Sequence, residues 1–199
     1  MPKKIIIIRH GQTDHNLRKL IQGHLDTELN ENGKEQARQI AQELLQEKIN
    51  VIFSSDLKRA FNTAVEVGKT HCLNVIKTTL LRERAFGKLQ GVPFLTISDY
   101  FPDQDNITAF SLSEDDSFNE KNEYGVETDE QMMERINGLD RLMCEYSDKT
   151  VLLVTHGGLV RMLMRHYLGF SAKHVSQIHI PNAKPIILNK VEGKYVLKS

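Results

Sequence analysis

Short apolar runs alternate along the chain with segments in which apolar residues recur at helical spacing. A run of β-branched residues bounded by turn residues is typical of a buried strand. We therefore predict strands at residues 4–8, 51–53, 74–81, 151–154, 175–180, 185–190 and 194–198. Helical spacing predicts helices at residues 33–48, 54–69, 128–146 and 157–167. This alternation indicates a three-layer α/β/α sandwich with a mainly parallel mixed sheet, to which the short C-terminal strands add antiparallel edges.

Polar residues that cap helices precede three of the predicted helices. Asn30 is placed to cap the first helix, and Ser-Ser-Asp at residues 54–56 is placed to cap the second. Thr128 and Gln131 match a capping box, in which each side chain bonds to the backbone N–H of the other residue. These three helices should therefore begin close to their caps.

The regular pattern fails between residues 84 and 126, where glycines, prolines and an acidic stretch at 111–123 occur. Because glycine and proline interrupt regular elements, we predict a lid-like insertion over the carboxyl edge of the sheet. For the acidic stretch alone, a solvated surface loop is the simpler interpretation. With this insertion, residues 1–199 are expected to form a single domain.

Composition narrows the class of protein. Of the 199 residues, 40% are hydrophobic and 26% are charged, as in ordinary globular domains. The formal net charge is zero, which gives no reason to expect nucleic acid or a membrane surface as a partner. Because the N-terminal apolar run is too short for a signal peptide or a membrane span, we predict a cytoplasmic protein. Cys72 and Cys144 lack metal-binding spacing and are expected to be buried or half-buried thiols.

Two of the predicted strands end in the same way. One leads into Arg-His-Gly at residues 9–11, and another leads into Thr-His-Gly-Gly at residues 155–158. Ligands of open α/β sheets bind beyond the carboxyl ends of the strands, so His10 and His156 could face one another across one site. Histidine can change charge or attack an electrophile near neutral pH. An enzyme is therefore the leading hypothesis.

Groups that attract anions gather at these strand ends. Arg9 offers a planar fork for phosphate or carboxylate, and Arg59 lies one turn into the helix after strand 51–53. Asn16 adds a polar side chain, and Gly157 opens a helix whose N-terminal N–H groups and dipole favour an anion. The natural ligand of such a site in a neutral protein is a phosphoryl group.

Phosphoryl transfer needs charge stabilisation and an acid that protonates the leaving oxygen. No cluster of acidic residues at ligand spacing accompanies the histidines, so arginines are expected to act where a metal ion otherwise would. We predict neither a metal nor a cofactor. Glu83 follows a strand and enters the insertion, where it could overhang the site as the acid.

Taken in order, these residues resemble the histidine phosphatase superfamily, in the branch that includes the cofactor-dependent phosphoglycerate mutases. The resemblance spans nearly the whole chain, and the ordered set is highly specific, although Arg-His-Gly alone is a weak signal. The matching positions are Arg9, His10, Gly11, Gln12, Thr13, Asn16, Gln22, Gly23, Asp26, Leu29, Gly33, Ser54, Ser55, Asp56, Leu57, Arg59, Thr63, Ala64, Leu81, Glu83, Gly87, Gly91, His156, Gly157 and Gly158.

The resemblance implies a phosphoglycerate mutase-like fold and a role for each site residue. It makes His10 the nucleophile, which forms a phosphohistidine that water then hydrolyses, and it makes Glu83 the proton donor. It assigns contacts with the phosphate or substrate to Arg9, Asn16, Gly23, Arg59, His156 and the backbone of Gly157.

Departures from the mutase pattern favour a phosphatase. Mutases resemble Glu-Arg-His-Tyr-Gly in the acid motif with a lysine a few residues later, whereas this chain has Glu-Arg-Ala-Phe-Gly at 83–87 and Phe94 near the lysine position. Gln12 and Gln90 replace acidic residues of the pattern, and the acidic stretch at 111–123 does not match the basic pair of the mutases. Groups that would hold a second acidic group of the substrate are therefore expected to be absent.

The predicted activity is the metal-independent hydrolysis of a small phosphorylated metabolite. Sugar-bisphosphate, phosphoserine, α-ribazole and broad-specificity phosphatases all stay open, and a cofactor-dependent phosphoglycerate mutase is the alternative. An apolar rim from Phe86, Phe94 and Phe101 would suit a partly hydrophobic leaving group. A module that only binds phosphorylated ligands is less expected, because His10 and Glu83 are both present. The helix faces are compatible with a homodimer.

Overall fold

The computed structural model describes residues 1–94 and 123–198, which form a six-stranded sheet between helices. The strands are β1 (Lys4–Arg9), β2 (Val51–Ser55), β3 (Val75–Thr78), β4 (Thr150–Thr155), β5 (Pro185–Val191) and β6 (Lys194–Leu197). Their order across the sheet is β3-β2-β4-β1-β5-β6. Strands β1 to β4 pair in parallel, whereas β5 and β6 pair antiparallel to their neighbours. The predicted mainly parallel mixed sheet is confirmed.

Helices pack on both faces of this sheet. Within the described ranges they are α1 (Asp14–Leu17), α2 (Glu31–Glu43), α3 (Lys58–His71), α4 (Asp129–Met143), α5 (Gly157–Leu168) and α6 (Ala172–Gln177). Residues of α2 and α3 share one apolar cluster with the sheet, and residues of α4 and α5 share the other. No helix in this part of the chain is long and apolar enough to cross a membrane.

Strand β1 shows how the sequence builds both layers of the core. Side chains alternate across a strand, so Ile5 and Ile7 pack toward α4 and α5 whereas Ile6 and Ile8 pack toward α2 and α3. All four isoleucines are fully buried. A parallel strand that is apolar on both faces must be covered by helices on both sides, which accounts for the three layers.

Two predicted helix caps are confirmed. The Asn30 side chain accepts the N–H of Gly33 at 2.9 Å, at the start of α2. Thr128 and Gln131 exchange side-chain to backbone bonds of 2.9 and 3.2 Å at the start of α4. Both helices begin at the residue that follows the cap.

The predicted cap of α3 is wrong. The N-cap is Leu57, whose side chain accepts no bond. Asp56 instead receives two bonds from the Arg82 guanidinium, at 2.8 and 2.6 Å. The first N–H of the helix, that of Lys58, is satisfied by the Asp26 carboxylate at 2.7 Å. Tertiary pairing therefore replaces the local cap.

The strand predicted at 175–180 is also wrong, because most of that segment belongs to helix α6 and its end. The apolar alternation there is that of a strand, but Ser171 caps the helix by accepting the His174 N–H at 3.1 Å. Val175 is fully buried in the same core cluster as α5. A short helix capped by serine thus buries its apolar residue without joining the sheet.

Smaller differences concern one strand end and the two cysteines. The strand predicted at 74–81 pairs with β2 only as far as Thr78, after which Thr79–Leu81 forms a 3-10 turn. Cys72 and Cys144 are exposed, contrary to the prediction. Cys72 is the residue of left-handed conformation (φ 53°) that ends α3, and Cys144 begins a turn after α4. Neither thiol packs into the core.

Most of the predicted insertion lies outside the described residues, including Phe101 and nearly all of the acidic stretch at 111–123. Its two described flanks meet, since the Lys88 N–H donates to the Tyr124 carbonyl at 2.8 Å. The prediction of a single domain with a lid-like insertion at 84–126 stays a prediction.

Candidate active site

The carboxyl ends of β1 and β4 lie side by side, because the two strands pair in parallel up to the pair Arg9 and Thr155. The residue that follows each strand is a histidine. The ring centroids of His10 and His156 are 5.0 Å apart and the rings meet edge to face. Both side chains are buried. The two histidines predicted to face one another are therefore in contact.

His10 is held as a neutral ring with a defined tautomer. Its Nδ1 lies 2.7 Å from the Gly11 carbonyl oxygen, which can only accept a hydrogen bond. Nδ1 therefore carries the proton, and Nε2 carries the lone pair. Burial, followed by the charges of Arg59 and Arg9, holds the pKa of His10 well below the ordinary value of 6.5. A neutral imidazole is the form that can act as a nucleophile.

His156 has the opposite hydrogen-bonding polarity. Its Nδ1 accepts the Nε–H of Arg59 at 3.2 Å, so a neutral ring carries its proton on Nε2. Burial and the charge of Arg59 keep the pKa of His156 well below 6.5. Nε2 is buried and has no hydrogen-bond partner among the described residues. His156 therefore presents an N–H donor beside His10.

Arg59 is buried and held by backbone carbonyls. Its Nη2 donates to the Gly23 carbonyl at 2.7 Å and its Nη1 to the Leu25 carbonyl at 2.6 Å. Burial lowers the pKa of Arg59 to about 10, so the group stays charged at neutral pH. Gly23 adopts a positive φ of 52° in this loop, a conformation that favours glycine. Arg59 thus orients His156 while the loop fixes Arg59.

Arg9 supplies a second positive charge. Its Nη1 donates to the Ile180 carbonyl at 2.6 Å, and burial lowers the pKa of its guanidinium. The Nε–H of Arg9 is buried and, in the ranges that the structure covers, has no acceptor. A Cβ placed on Gly157 would lie 3.5 Å from this Nε, so Arg9 adjoins the first turn of α5.

Helix α1, which the sequence analysis did not predict, places Asn16. Thr13 and Asn16 form a capping box in which the Asn16 Oδ1 accepts the Thr13 N–H at 3.1 Å. The Thr13 hydroxyl in turn accepts the Asn16 N–H at 3.1 Å. Because Oδ1 is used in the cap, the amide NH₂ is the group that Asn16 can offer to an anion.

Glu83 reaches the N-terminus of α5 from the segment after β3. Its Oε2 accepts the Gly158 N–H at 3.0 Å, and its Oε1 accepts the N–H groups of Leu159 at 3.2 Å and Arg84 at 2.9 Å. The Glu83 backbone carbonyl is 2.8 Å from His24 Nε2, which donates to it. The predicted acid is thus fixed at both its side chain and its backbone.

These residues surround a cavity of about 590 Å³. The predicted site residues in its lining are Arg9, His10, Asn16, Gly23, Arg59, Glu83 and Gly157. His156 packs against His10. The lining also includes Phe86 and Phe94, two of the three phenylalanines of the predicted rim. Among the described residues, no group of three or more His, Cys, Asp or Glu side chains is placed to hold a metal ion.

The cavity contains side chains that the sequence analysis missed, namely His15, Lys19, Arg161, Ser176 and His179. Arg161, on α5, donates to the carbonyls of Val175 and Ile178 at 3.1 Å each, and to that of Gly157 at 3.3 Å. Its position one turn beyond Gly157 in a predicted helix was a signal that could have found it. The cavity thus contains two basic side chains, Lys19 and Arg161, beyond those predicted from the sequence.

A family model, the histidine phosphatase superfamily (branch 1), matches residues 5–199. The chain belongs to this superfamily. It is 37% identical over 163 residues to phosphoglycerate mutase-like protein 4 of Arabidopsis thaliana, a match that covers 80% of this chain and 69% of the relative. It is 36% identical over 163 residues to the metal-independent phosphoserine phosphatase of the same plant, covering 80% and 66%.

The fold comparison agrees with the family. The structure of mycobacterial glucosyl-3-phosphoglycerate phosphatase in complex with VO3 superimposes with a TM-score of 0.84 at 31% identity. The match covers 98% of this chain and 97% of that protein. The predicted phosphoglycerate mutase-like sandwich and the predicted enzyme class, a histidine phosphatase, are both confirmed.

Proposed function

We propose that the protein is a metal-independent phosphatase that hydrolyses a small phosphorylated metabolite through a phosphohistidine on His10. The observation that carries this proposal is a pair of buried N–H donors beside His10. They are the Nε–H of Arg9 and the Nε2–H of His156, and neither has an acceptor among the described residues. Buried polar groups are rarely left unpaired, because each costs the free energy of a lost hydrogen bond. The oxygens of a phosphoryl group would satisfy both donors.

In the first step, the lone pair of His10 Nε2 attacks phosphorus in line with the ester oxygen. The P–N bond forms as the P–O bond breaks, and Glu83 gives its proton to the departing oxygen. Arg9 and Arg59 stabilise the equatorial oxygens by charge, and His156 Nε2–H donates to them. The amide of Asn16 and the N–H of Gly157 add further donors. The guanidinium groups supply the positive charge for which other phosphatases use a metal ion.

In the second step, water attacks the phosphohistidine. The Glu83 carboxylate accepts a proton from the water as the new P–O bond forms and the P–N bond breaks. The electron pair of the P–N bond returns to Nε2, so His10 regains its neutral form, which burial and the charges of Arg59 and Arg9 favour. The products are the free alcohol and inorganic phosphate.

The proposal is tested by hydrolysis of p-nitrophenyl phosphate in the presence of EDTA. We expect the wild-type protein to be active and the His10→Ala variant to lose activity, because the nucleophile is gone. Full activity in His10→Ala would contradict the phosphohistidine mechanism. A strict requirement for a divalent metal would contradict the metal-independent assignment.

The metabolite is proposed to carry an acidic group besides its phosphate. Arg161 and Lys19 add positive charge to the cavity beyond the groups that face the phosphoryl site. Two similar proteins are named for phosphoserine and glucosyl-3-phosphoglycerate, which are phosphate esters that also contain a carboxylate. A carboxylate near the Arg161 guanidinium would form a charge-assisted hydrogen bond.

A panel of substrates tests this choice. For Arg161→Met, we expect KM for phosphoserine and 3-phosphoglycerate to rise about tenfold, whereas KM for glycerol phosphate changes by less than about threefold. Equal changes in KM for the carboxylate-containing substrates and for glycerol phosphate would contradict the proposed acidic group.

The alternative activity, a mutase, would appear as interconversion of phosphoglycerates stimulated by 2,3-bisphosphoglycerate. A homodimer, a cytoplasmic location and the lack of a nucleic-acid partner stay predictions from the sequence.

A further inference from the structure

The second glycine of the Thr-His-Gly-Gly motif has no part in the mechanism derived above. Gly158 is the second residue of α5, and its N–H donates to the Glu83 Oε2 at 3.0 Å. The next N–H along the helix, that of Leu159, donates to Glu83 Oε1 at 3.2 Å. The carboxylate therefore sits directly over the first turn of α5, in contact with the position where a side chain at 158 would project.

Space, and not backbone conformation, requires glycine at this position. Gly158 is helical and is absent from the glycines with positive φ, so another residue could adopt its backbone angles. A Cβ there would overlap Glu83 Oε1 and lie 3.2 Å from Glu83 Cδ. At the neighbouring Gly157, the nearest atom to a Cβ is Arg9 Nε at 3.5 Å, an ordinary contact. Of the two glycines, only Gly158 lies so close to the Glu83 carboxylate that a side chain there would overlap it.

The backbone of Glu83 cannot easily move away from such a side chain. His24 Nε2 donates to the Glu83 carbonyl at 2.8 Å. The next residue, Arg84, is buried and donates to the Glu127 carbonyl at 2.6 Å and to the Asp129 carboxylate at 2.5 Å. A side chain at position 158 would therefore turn the Glu83 carboxylate aside while the chain around it stayed in place.

We propose that Gly158 is a positioning residue for the general acid, because its missing side chain seats the Glu83 carboxylate on the N-terminus of α5. This inference rests on the proposed function, in which Glu83 protonates the leaving oxygen. Alanine is a better helix former than glycine, and the overlap involves only the end of a flexible side chain. The gain in helix propensity offsets part of the loss of the Glu83 bonds to α5, so the Gly158→Ala variant is expected to fold with a melting temperature close to that of the wild type.

The test compares leaving groups in Gly158→Ala and Glu83→Gln. General acid catalysis typically contributes a factor of about 10² to 10⁴, and an alkoxide needs it far more than p-nitrophenolate does. The comparison uses kcat/KM, which reports phosphorylation of His10 and not the later hydrolysis in which Glu83 acts as base. For Gly158→Ala we expect kcat/KM to fall at least about 30-fold with glycerol phosphate and less than about threefold with p-nitrophenyl phosphate. The inhibition constant of inorganic phosphate should change less than about threefold, because the phosphate contacts are kept.

A double variant separates positioning from general disruption. If Gly158 acts only through Glu83, the variant Glu83→Gln with Gly158→Ala should match Glu83→Gln alone within about twofold. Additive losses, or equal losses of Gly158→Ala on both substrates, would overturn the inference and leave the proposed function standing. Equal losses of kcat/KM on both substrates in Glu83→Gln would overturn the acid assignment and the inference together. Full activity in His10→Ala would instead overturn the phosphohistidine mechanism.

Discussion

The strand ends that carry His10 and His156 are alike in sequence and opposite in hydrogen bonding. At the end of β1, the Nδ1–H of His10 donates to the Gly11 carbonyl, which leaves a lone pair on Nε2. At the end of β4, the Nδ1 of His156 accepts from Arg59, which leaves a proton on Nε2. The partner of Nδ1, and not the strand or the motif, thus decides whether the ring offers a nucleophile or a donor.

The glycines that follow the two histidines also differ, because one is enclosed by packing and the others face the cavity. Gly11 is enclosed, because its N–H donates to the Thr63 hydroxyl at 3.0 Å and a Cβ would overlap the Gly33 carbonyl. Gly157 and Gly158 instead open a helix toward the cavity and Glu83. One strand end is closed by packing and fixes the nucleophile, whereas the other is open and presents N–H groups to anions.

The largest expected effect is the difference between removing each histidine. His10→Asn should lower kcat for p-nitrophenyl phosphate by at least about 10⁴-fold, because no other group can form the covalent intermediate. His156→Asn removes one donor to the developing charge and should cost about 10²- to 10³-fold. Steady-state kinetics of both variants, with the exposed His174→Asn as a control of wild-type activity, measures the difference. Equal losses at the two positions would mean that the two rings do not have distinct roles.

A smaller effect sharpens the comparison through stability. Both rings are neutral in the folded protein because their pKa values lie well below 6.5, whereas an unfolded chain binds a proton on each below that pH. The contribution of the two rings to the free energy of unfolding is therefore complete above pH 6.5, and it is lost as the pH falls toward their pKa values in the folded protein. Each ring should add up to about 1.4 kcal/mol per pH unit to the slope of unfolding free energy against pH.

Urea unfolding between about pH 6.5 and pH 5.5 measures that slope, in a range where few carboxylates titrate. His10→Asn and His156→Asn should each reduce the slope. If neither buried substitution changes the slope, the two histidines are not held neutral by the fold.

The convergence of the main site residues could be predicted because parallel pairing constrains it. Arg9, His10 and His156 follow directly from two adjacent strands that end at the same edge of the sheet. Arg59 follows from the helix after the next strand. Glu83 lies beyond the regular pattern; its place after a predicted strand made it a candidate acid, and the family resemblance assigned it that role.

The rest of the cavity depends on tertiary contacts that no local pattern encodes. The sequence places Arg161 one turn beyond Gly157, but only the folded structure shows that carbonyls of the segment after α5 bind its guanidinium inside the cavity. Ser176 and His179 line the same cavity from α6 and its end, where the strand-like alternation was misleading. The tautomers of the two histidines were also unpredictable, because they depend on single hydrogen bonds with Gly11 and Arg59.

The most direct test of the central claim is to find which histidine carries the phosphoryl group during turnover. The enzyme would be mixed with p-nitrophenyl phosphate that carries an isotopic label in its phosphate group. The reaction would be quenched in alkali to preserve phosphohistidine, and the protein would be digested for mass spectrometry. We predict the label on the peptide that contains His10, in the wild type and in His156→Asn, and no label in His10→Asn. A label on His156, or rapid turnover with no labelled histidine, would contradict the account.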